Sequence, residues 1–300
     1  KNHLFTTYHN VKKNGSFIKS DAYPRIGFLN ISQKGLPSDS SMTSISYTSA
    51  DVDWIDFEAT VSTSSDQIGL SVGYLEKEWM EGNRNYFSYK MDRPIKFFFG
   101  FNSGRFEVLR DSLEGVSLEI YYDKKHPYNL DRMMKGLKET LTFCNENYSK
   151  YQHQQARIIE YPMSLGSSST TFANSIPFAE YNFVADIRAA EGDIDVPYYV
   201  AAHELAHQWW GNQVIPADVQ GARMLTESLA EYTALKVLER TYGTAPMRQF
   251  LKLNLDNYLR NKKTAWHAEK SLMLADANQE YITYRKGALV FYALNDYLGE

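Results

Sequence analysis

Residues 203–211 read HELAHQWWG and lie in a stretch with helical composition that ends at Gly211. On a helix, residues four apart leave the same face, so His203 and His207 can share one metal ion. Glu204 lies beside that face, where it can reach a metal-bound water and act as a general base. The spacing therefore predicts a catalytic metal centre built on a helix.

A third ligand is expected on the next predicted helix, Leu225 to Tyr242. Catalytic zinc is held by three protein ligands and keeps one open position. Glu227 lies among apolar neighbours, where an uncompensated carboxylate would be costly and a metal ion would compensate it. Glu231 is one turn further on the same face, and it is either a hydrogen-bond partner of a ligand or a surface charge.

The HELAHQWWG segment, followed by TESLAEY at residues 226–232, resembles the gluzincin metallopeptidases of the aminopeptidase N and leukotriene hydrolase family. The resemblance implies that His203, His207 and Glu227 bind one zinc ion and that Glu204 activates the attacking water. The interval between His207 and Glu227 is one residue longer than the family's usual spacing. Residues 216–221 are a predicted loop that can absorb the difference.

A second family element is a tyrosine just before a Lys-Gly pair, matched here by YRKGAL at residues 284–289. The resemblance implies that Tyr284 donates a hydrogen bond to the oxyanion, a role that suits a phenol aimed at developing negative charge. Tyr281 is the alternative for the same role. The helix that contains this segment is predicted from Thr283 to Leu298.

The amine-binding segment departs from the family pattern. Family members that are aminopeptidases carry G-A-M-E-N, whose Glu holds the free amino group of the substrate, and residues 170–174 here read TTFAN. Ala173 occupies the place of that Glu, while Ala173 and Asn174 keep a backbone that can pair with an extended peptide. Glu160 and Glu180 are the alternative acids for the amine.

The period of the apolar residues divides the chain. From Ile55 to Tyr122 they alternate with polar ones, as in half-buried antiparallel strands, with turns predicted at Gly82-Asn83 and at residues 102–104. After Pro127 the period changes to 3.6, with a helix capped by Asn129. The pattern predicts an α+β chain with a β-rich domain at 1–122 and a mainly helical domain at 123–300, to which the resemblance gives a thermolysin-like fold. Residues 35–41 are a predicted loop.

Composition excludes several classes of protein. The 300 residues carry a net charge of -4, so no basic field favours a nucleic-acid partner. No stretch reaches the roughly 18 apolar residues of a membrane span, and the one cysteine, Cys144, excludes an internal disulfide. The first residue is Lys1, so we expect the chain to be part of a larger protein, and its start indicates no compartment.

Together these features predict zinc-dependent hydrolysis of peptide bonds by an aminopeptidase-like metallopeptidase with altered selectivity for the amino terminus. Zinc would polarise the scissile carbonyl, Glu204 would move the proton, and Tyr284 would stabilise the oxyanion. One alternative is a peptide-binding or sensing module that has lost turnover, favoured only by the changed residue 173. Another is a non-peptide hydrolase that uses the same residues.

Overall fold

The computed structural model describes residues 14–19, 36, 38, 54–165, 168–188, 193–275 and 279–299. Most of the predicted loop at 35–41 lies outside these residues. Strands dominate up to residue 123 and helices from residue 196 onward, which confirms the α+β class. The described chain forms two compact units, one containing residues 54–134 and 153–186 and the other residues 135–152 and 193–299.

The first unit is mainly β. Its strands are β1 (Gly15–Lys19), β2 (Trp54–Ile55), β3 (Glu58–Ser64), β4 (Ile68–Ser71), β5 (Tyr74–Glu81), β6 (Arg84–Lys90), β7 (Ile95–Lys96), β8 (Gly100–Gly104), β9 (Phe106–Leu113), β10 (Val116–Asp123), β11 (Gln155–Tyr161) and β12 (Ser175–Ala179). They form sheets with the orders β1-β8-β4, β3-β6-β5, β2-β7 and β12-β11-β10-β9. The alternation from Ile55 to Tyr122 is therefore that of antiparallel strands, as predicted, and β5-β6 and β9-β10 are hairpins.

Two predicted turns had different outcomes. Gly82-Asn83 does join β5 to β6, and Gly82 has a φ of 61°, a conformation that favours glycine. Residues 102–104, in contrast, are the end of β8, paired with both β1 and β4, so the turn prediction there was wrong. A Cβ on Gly104 would meet the Phe106 ring at 2.6 Å, so this glycine serves close packing rather than chain reversal.

The four-stranded sheet is mixed. β9 and β10 form an antiparallel hairpin, whereas β10, β11 and β12 are parallel neighbours. The connection from β10 to β11 runs through α1 (Leu130–Asn147), which begins in the first unit and continues in the second from Lys135. The carbonyl of Asn129 accepts from the Met133 N–H (3.1 Å), and its side-chain amide donates to the Ala185 carbonyl (2.9 Å). The short α2 (Glu180–Val184) follows β12 directly.

The second unit is helical and holds the segments that the sequence assigned to chemistry. Its helices after α1 are α3 (Val196–Ala206), α4 (Leu229–Tyr242), α5 (Thr244–Thr264) and α6 (Gly287–Leu298). The Asp195 side chain accepts from the Tyr198 N–H (3.2 Å) at the start of α3. Gly243 and Gly299 end their helices with φ values of 83° and 78°. Among the described helices, none combines the length and apolarity that crossing a bilayer requires.

The three predicted helices that carry the candidate site residues each differ from the expectation at one end. The helix predicted to end at Gly211 is α-helical only to Ala206, residues 207–209 form turns, and Trp210 makes an isolated β-bridge with Val214. The other two begin with a π-helical turn, a first π turn at Met224–Ser228 before α4 and a second π turn at Tyr281–Lys286 before α6. Amphipathic spacing does not distinguish a single π turn from an α turn, because the apolar face is nearly the same.

Candidate metal centre

The predicted ligands come from adjacent parts of the second unit. His203 lies in the last turn of α3, and His207 is the residue that caps this helix at its carboxyl end. Glu227 lies in the first π turn, and α3 packs against α4, which continues from that turn. Their side chains are 9%, 14% and 14% exposed, so three potentially charged groups meet in a nearly dry site.

The three side chains converge on one point. Nε2 of His203 is 3.1 Å from Nε2 of His207, and the Oε2 of Glu227 is 3.7 Å and 3.3 Å from these two nitrogens. A tetrahedral ion with bonds of about 2.0–2.1 Å separates its ligand atoms by about 3.4 Å. Oε2 of Glu227 is buried and receives no hydrogen bond from any described residue. The donor set and its spacing therefore fit a zinc ion.

The Nδ1 atoms of the two histidines face away from this point, toward oxygen atoms of other residues. Nδ1 of His207 lies 3.1 Å from the Trp210 carbonyl, and a proton on Nδ1 leaves Nε2 with a free lone pair. Nδ1 of His203 faces the Oε1 of Glu231 at 3.7 Å, and the other oxygen of Glu231 accepts a short hydrogen bond from the Tyr199 hydroxyl. Glu231 is 4% exposed, which excludes the surface-charge alternative for this residue.

The electrostatics of the site follow from this burial. Desolvation alone would lower the pKa of His207, but the Glu227 carboxylate beside it raises that pKa to about 9. Desolvation would likewise raise the pKa of Glu227, but the imidazoles of His207 and His203 hold it well below its usual range. Without an ion, the Glu227 carboxylate is therefore paired with a protonated His207. A divalent cation can replace the positive charge of that imidazolium.

The two predicted catalytic residues flank these ligands. Glu204 follows His203 on α3, is 6% exposed, and its charge acts on both His207 and Tyr284. The Tyr284 ring stacks on the His203 ring, with centroids 6.0 Å apart and an interplanar angle of 29°. Burial, and then the Glu227 carboxylate, raise the pKa of Tyr284, so its phenol keeps its proton as a donor.

The alternative tyrosine points elsewhere. Tyr281 stacks on Tyr258 with ring centroids 6.1 Å apart, and the charges that act on it are those of Glu269 and Lys262. Glu269 also pairs with Lys286 and accepts from the Tyr258 hydroxyl. The structure thus brings Tyr284, and not Tyr281, beside a predicted ligand.

Sequence reasoning missed Arg223. Its guanidinium lies 5.6 Å from the centroid of the Tyr284 ring, 3.9 Å from an oxygen of Glu227 and 2.9 Å from Glu280. Arg223 precedes Glu227 by four residues, a spacing that would have placed the two side chains together on a helix. The contact with Tyr284 depends on a distant segment and has no local signal.

The predicted substrate-binding residues lie in the first unit. Ala173 and Asn174 are the central residues of a tight turn in which Phe172 and Ser175 exchange both backbone hydrogen bonds. Both are buried; the Asn174 carbonyl accepts from the Arg157 N–H (3.1 Å), and its side-chain oxygen accepts from the Gly73 N–H (3.1 Å). A substrate-binding role for the pair stays a prediction.

The two alternative acids for the amine meet at a histidine in the same unit. Oε1 of Glu160 lies 2.5 Å from Nδ1 of His126, and Oε2 of Glu160 accepts from the Asp123 N–H (2.6 Å). Oε1 of Glu180 lies 3.8 Å from Nε2 of His126, and its other oxygen accepts from the Met163 N–H (2.8 Å). Burial raises the pKa of Glu160 to about 7.

Comparison with known proteins agrees with the resemblance noted above. The sequence matches the model of the peptidase family M1 domain over residues 132–300. It is 31% identical over 108 residues to human endoplasmic reticulum aminopeptidase 2, an alignment that covers 34% of this chain and 11% of that protein.

The fold is similar to that of an M1 zinc metallopeptidase from Deinococcus radiodurans, both as the unmodified enzyme and as a point mutant. The TM-score is 0.62 at 16% identity, over 83% of this chain and 54% of that one. The chain thus spans about half the length of the solved relative and a smaller part of the human one.

Proposed function

The chain belongs to peptidase family M1, and on that premise we propose that it hydrolyses peptide bonds with one zinc ion held by His203, His207 and Glu227. The observation that carries the proposal is the convergence of these three ligand atoms within 3.1–3.7 Å of one another, beside Glu204 and Tyr284. A purely structural zinc site would be closed by a fourth protein ligand, whereas three ligands leave one position for chemistry.

Zinc, when bound in such a site, supplies a Lewis acid for the scissile carbonyl and lowers the pKa of water. Glu204 takes a proton from the attacking water as the new C–O bond forms, and delivers it to the amine nitrogen as the C–N bond breaks. Tyr284 donates a hydrogen bond to the carbonyl oxygen as negative charge develops on it. Burial of both groups strengthens these interactions, because little solvent competes with them.

The finer proposal concerns selectivity for the amino terminus. A free α-ammonium group is preferred over an acetylated one only where a buried acid pairs with it, and losing such a pair typically costs several kcal/mol. Position 173 offers a methyl group instead. Glu160 and Glu180 already accept hydrogen bonds from backbone N–H groups. We therefore expect a weakened or absent preference for free amino termini, with some cleavage inside peptides.

One experiment tests both levels of the proposal. A single peptide is offered to the zinc-loaded protein in its free and N-acetylated forms, and the products are identified by mass spectrometry, with Glu204→Gln as the inactive control. We expect both forms to be cleaved. Removal of single residues from the free form only would contradict the selectivity proposal, and binding of both forms without products would favour the peptide-sensing alternative over hydrolysis.

A further inference from the structure

Ser228 follows the predicted ligand Glu227 and has no part in the chemistry described so far. We propose that Ser228 is a positioning residue, which fixes the Tyr284 phenol relative to the metal ligands by joining the two π turns. The inference rests on the proposed function, because it holds that Ser228 affects the rate of peptide hydrolysis by positioning Tyr284.

The first observation is a buried hydrogen bond from a side chain of the first π turn to the backbone of the second. Oγ of Ser228 donates to the carbonyl oxygen of Thr283 at 2.6 Å, and both residues are fully buried. Ser228 is the residue after Glu227, and Thr283 is the residue before Tyr284. The bond thus connects the backbone that carries the third ligand directly to the backbone that carries the phenol.

The second observation explains why the Thr283 carbonyl needs this donor. In an α-helix it would accept from the N–H four residues later, which belongs to Gly287. Gly287 instead donates to the Ile282 carbonyl, as the i→i+5 pattern of a π turn requires. The Ser228 hydroxyl donates to this buried carbonyl in place of the Gly287 N–H, and removing a donor from a buried carbonyl destabilises the turn.

The third observation is the close approach that makes the bond possible. A Cβ on Gly287 would lie 2.2 Å from the Oγ and 2.6 Å from the Cβ of Ser228, distances that atoms in contact do not adopt. Gly287 has an ordinary helical φ of -56°, so no turn conformation demands glycine at this position. Its absent side chain is what lets α6 come within hydrogen-bond reach of the first π turn.

The consequence for chemistry is geometric. Tyr284 must hold its hydroxyl at the developing oxyanion, and a displacement of about 1 Å from a productive geometry can lower a rate by about 100-fold. The Tyr284 ring faces His203 and Arg223 at centroid distances of 6.0 Å and 5.6 Å, and its hydroxyl interacts with the Glu227 carboxylate. The backbone anchor at Thr283 fixes the point from which the side chain reaches these partners.

The test is a double-mutant cycle. Ser228→Ala is expected to lower kcat about tenfold, with KM and zinc content unchanged, and to have no further effect in a Tyr284→Phe background. The matched control is Thr140→Val, which removes a buried hydroxyl with no hydrogen-bond partner among the described residues. An equal loss from Ser228→Ala in both backgrounds, or no loss in either, would overturn the proposal.

A second measurement needs neither zinc nor turnover. In the metal-free protein, Ser228→Ala should speed hydrogen exchange in the peptide covering residues 281–287, and Thr140→Val should not. Gly287→Ala should speed it as well, because its Cβ would meet the Ser228 side chain. Adding Ser228→Gly leaves Cα at 3.4 Å as the nearest Ser228 atom but also removes the hydroxyl, so exchange should stay faster than in the wild type.

Unchanged exchange at residues 281–287 in Ser228→Ala would refute the anchor whatever the activity. A wild-type chain that turns over no peptide, combined with faster exchange in Ser228→Ala, would contradict only the proposed hydrolysis.

Discussion

Two partly buried clusters of one chain combine histidine with carboxylates, and they differ in the hydrogen bonds that their side chains already make. Among the described residues, the groups that could hold a metal ion are His203, His207 and Glu227 in the second unit, and a cluster of one histidine and two glutamates in the first. In the second unit the facing atoms are 3.1–3.7 Å apart, and the Glu227 oxygen among them receives no hydrogen bond from the described residues.

In the first unit one imidazole nitrogen is hydrogen-bonded to a glutamate, and each glutamate accepts a backbone N–H through its other oxygen. Nδ1 of His126 lies 2.5 Å from Glu160, closer than two ligands of one ion would be, and both glutamates accept backbone N–H groups. Residue type and proximity therefore do not by themselves define a metal site. The difference between a metal site and a hydrogen-bonded cluster lies in which lone pairs remain free and in whether they point at one common centre.

The largest expected effect separates the two clusters by their zinc content. His207→Ala removes a ligand and should lower zinc affinity by more than the ~100-fold typical of changes to supporting groups. His126→Ala, the matched histidine of the first unit, should leave one zinc per chain. Elemental analysis after dialysis measures both variants. Equal loss of zinc from the two variants would show that the clusters do not differ as described.

The next effect separates zinc binding from catalysis in the cluster of the second unit. Glu204→Gln keeps the size of the side chain and removes its proton-accepting charge, so it should retain zinc and lose at least ~100-fold in kcat. Peptide turnover at saturating substrate, normalised to zinc content, measures the change. A variant that hydrolyses peptides at the wild-type rate would show that another group moves the proton.

A comparable effect distinguishes the two tyrosines of the second π turn. Tyr284→Phe removes a donor beside His203 and should lower kcat by ~100-fold with little change in KM. Tyr281→Phe is the matched control, and it should change kcat little because this ring stacks on Tyr258. If Tyr281→Phe gives the full loss and Tyr284→Phe gives none, the oxyanion role belongs to Tyr281.

A smaller effect on zinc affinity is expected from Glu231, which faces the ligand His203. Glu231→Gln replaces the carboxylate that faces Nδ1 of His203 at 3.7 Å, and should weaken zinc binding by about tenfold while leaving the site occupied at high zinc. Competition with a chelator measures the affinity. Glu160→Gln, the equivalent loss of a buried carboxylate in the other cluster, should leave that affinity unchanged.

Glu160 is expected to have no effect on the metal centre. Its substitution should change only the stability of the fold. The folded-state pKa of about 7 lies above the unfolded value, so ionisation favours the unfolded chain. The free energy of unfolding should therefore fall, by at most about 3 kcal/mol, as the pH rises from about 4.5 to 7.

Glu160→Gln should lack this part of the pH dependence. The groups nearest to Glu160 are His126 and Asp123, so His126→Ala is the control for a contribution from the imidazole. Urea unfolding at pH 5 and pH 7.5 measures the difference. An identical pH dependence in wild type and Glu160→Gln would contradict the raised pKa.

How much could be predicted from the sequence differs between local and distant features. The i, i+4 spacing of His203 and His207 needs only a helix, and the alternation up to Tyr122 needs only half-buried strands, so both follow from local periodicity. The α+β class follows from the change of period near residue 126.

Features that depend on distant contacts had no such signal. The first π turn begins inside the interval that exceeds the family spacing by one residue and contains Glu227, and its i→i+5 bonding accommodates one residue more than an α turn. The sequence pointed to the loop at 216–221 for that residue instead. The bond from Ser228 to Thr283, and the pairing of Gly104 with Gly15 and Ile68 in neighbouring strands, likewise depend on partners far along the chain.

The most direct test of the metal assignment is anomalous diffraction at the zinc edge from crystals of the zinc-loaded protein. We predict one peak per chain, equidistant from Nε2 of His203, Nε2 of His207 and an oxygen of Glu227, at about 2.0–2.1 Å from each. A peak between His126 and Glu160, or no peak near His207, would contradict the account.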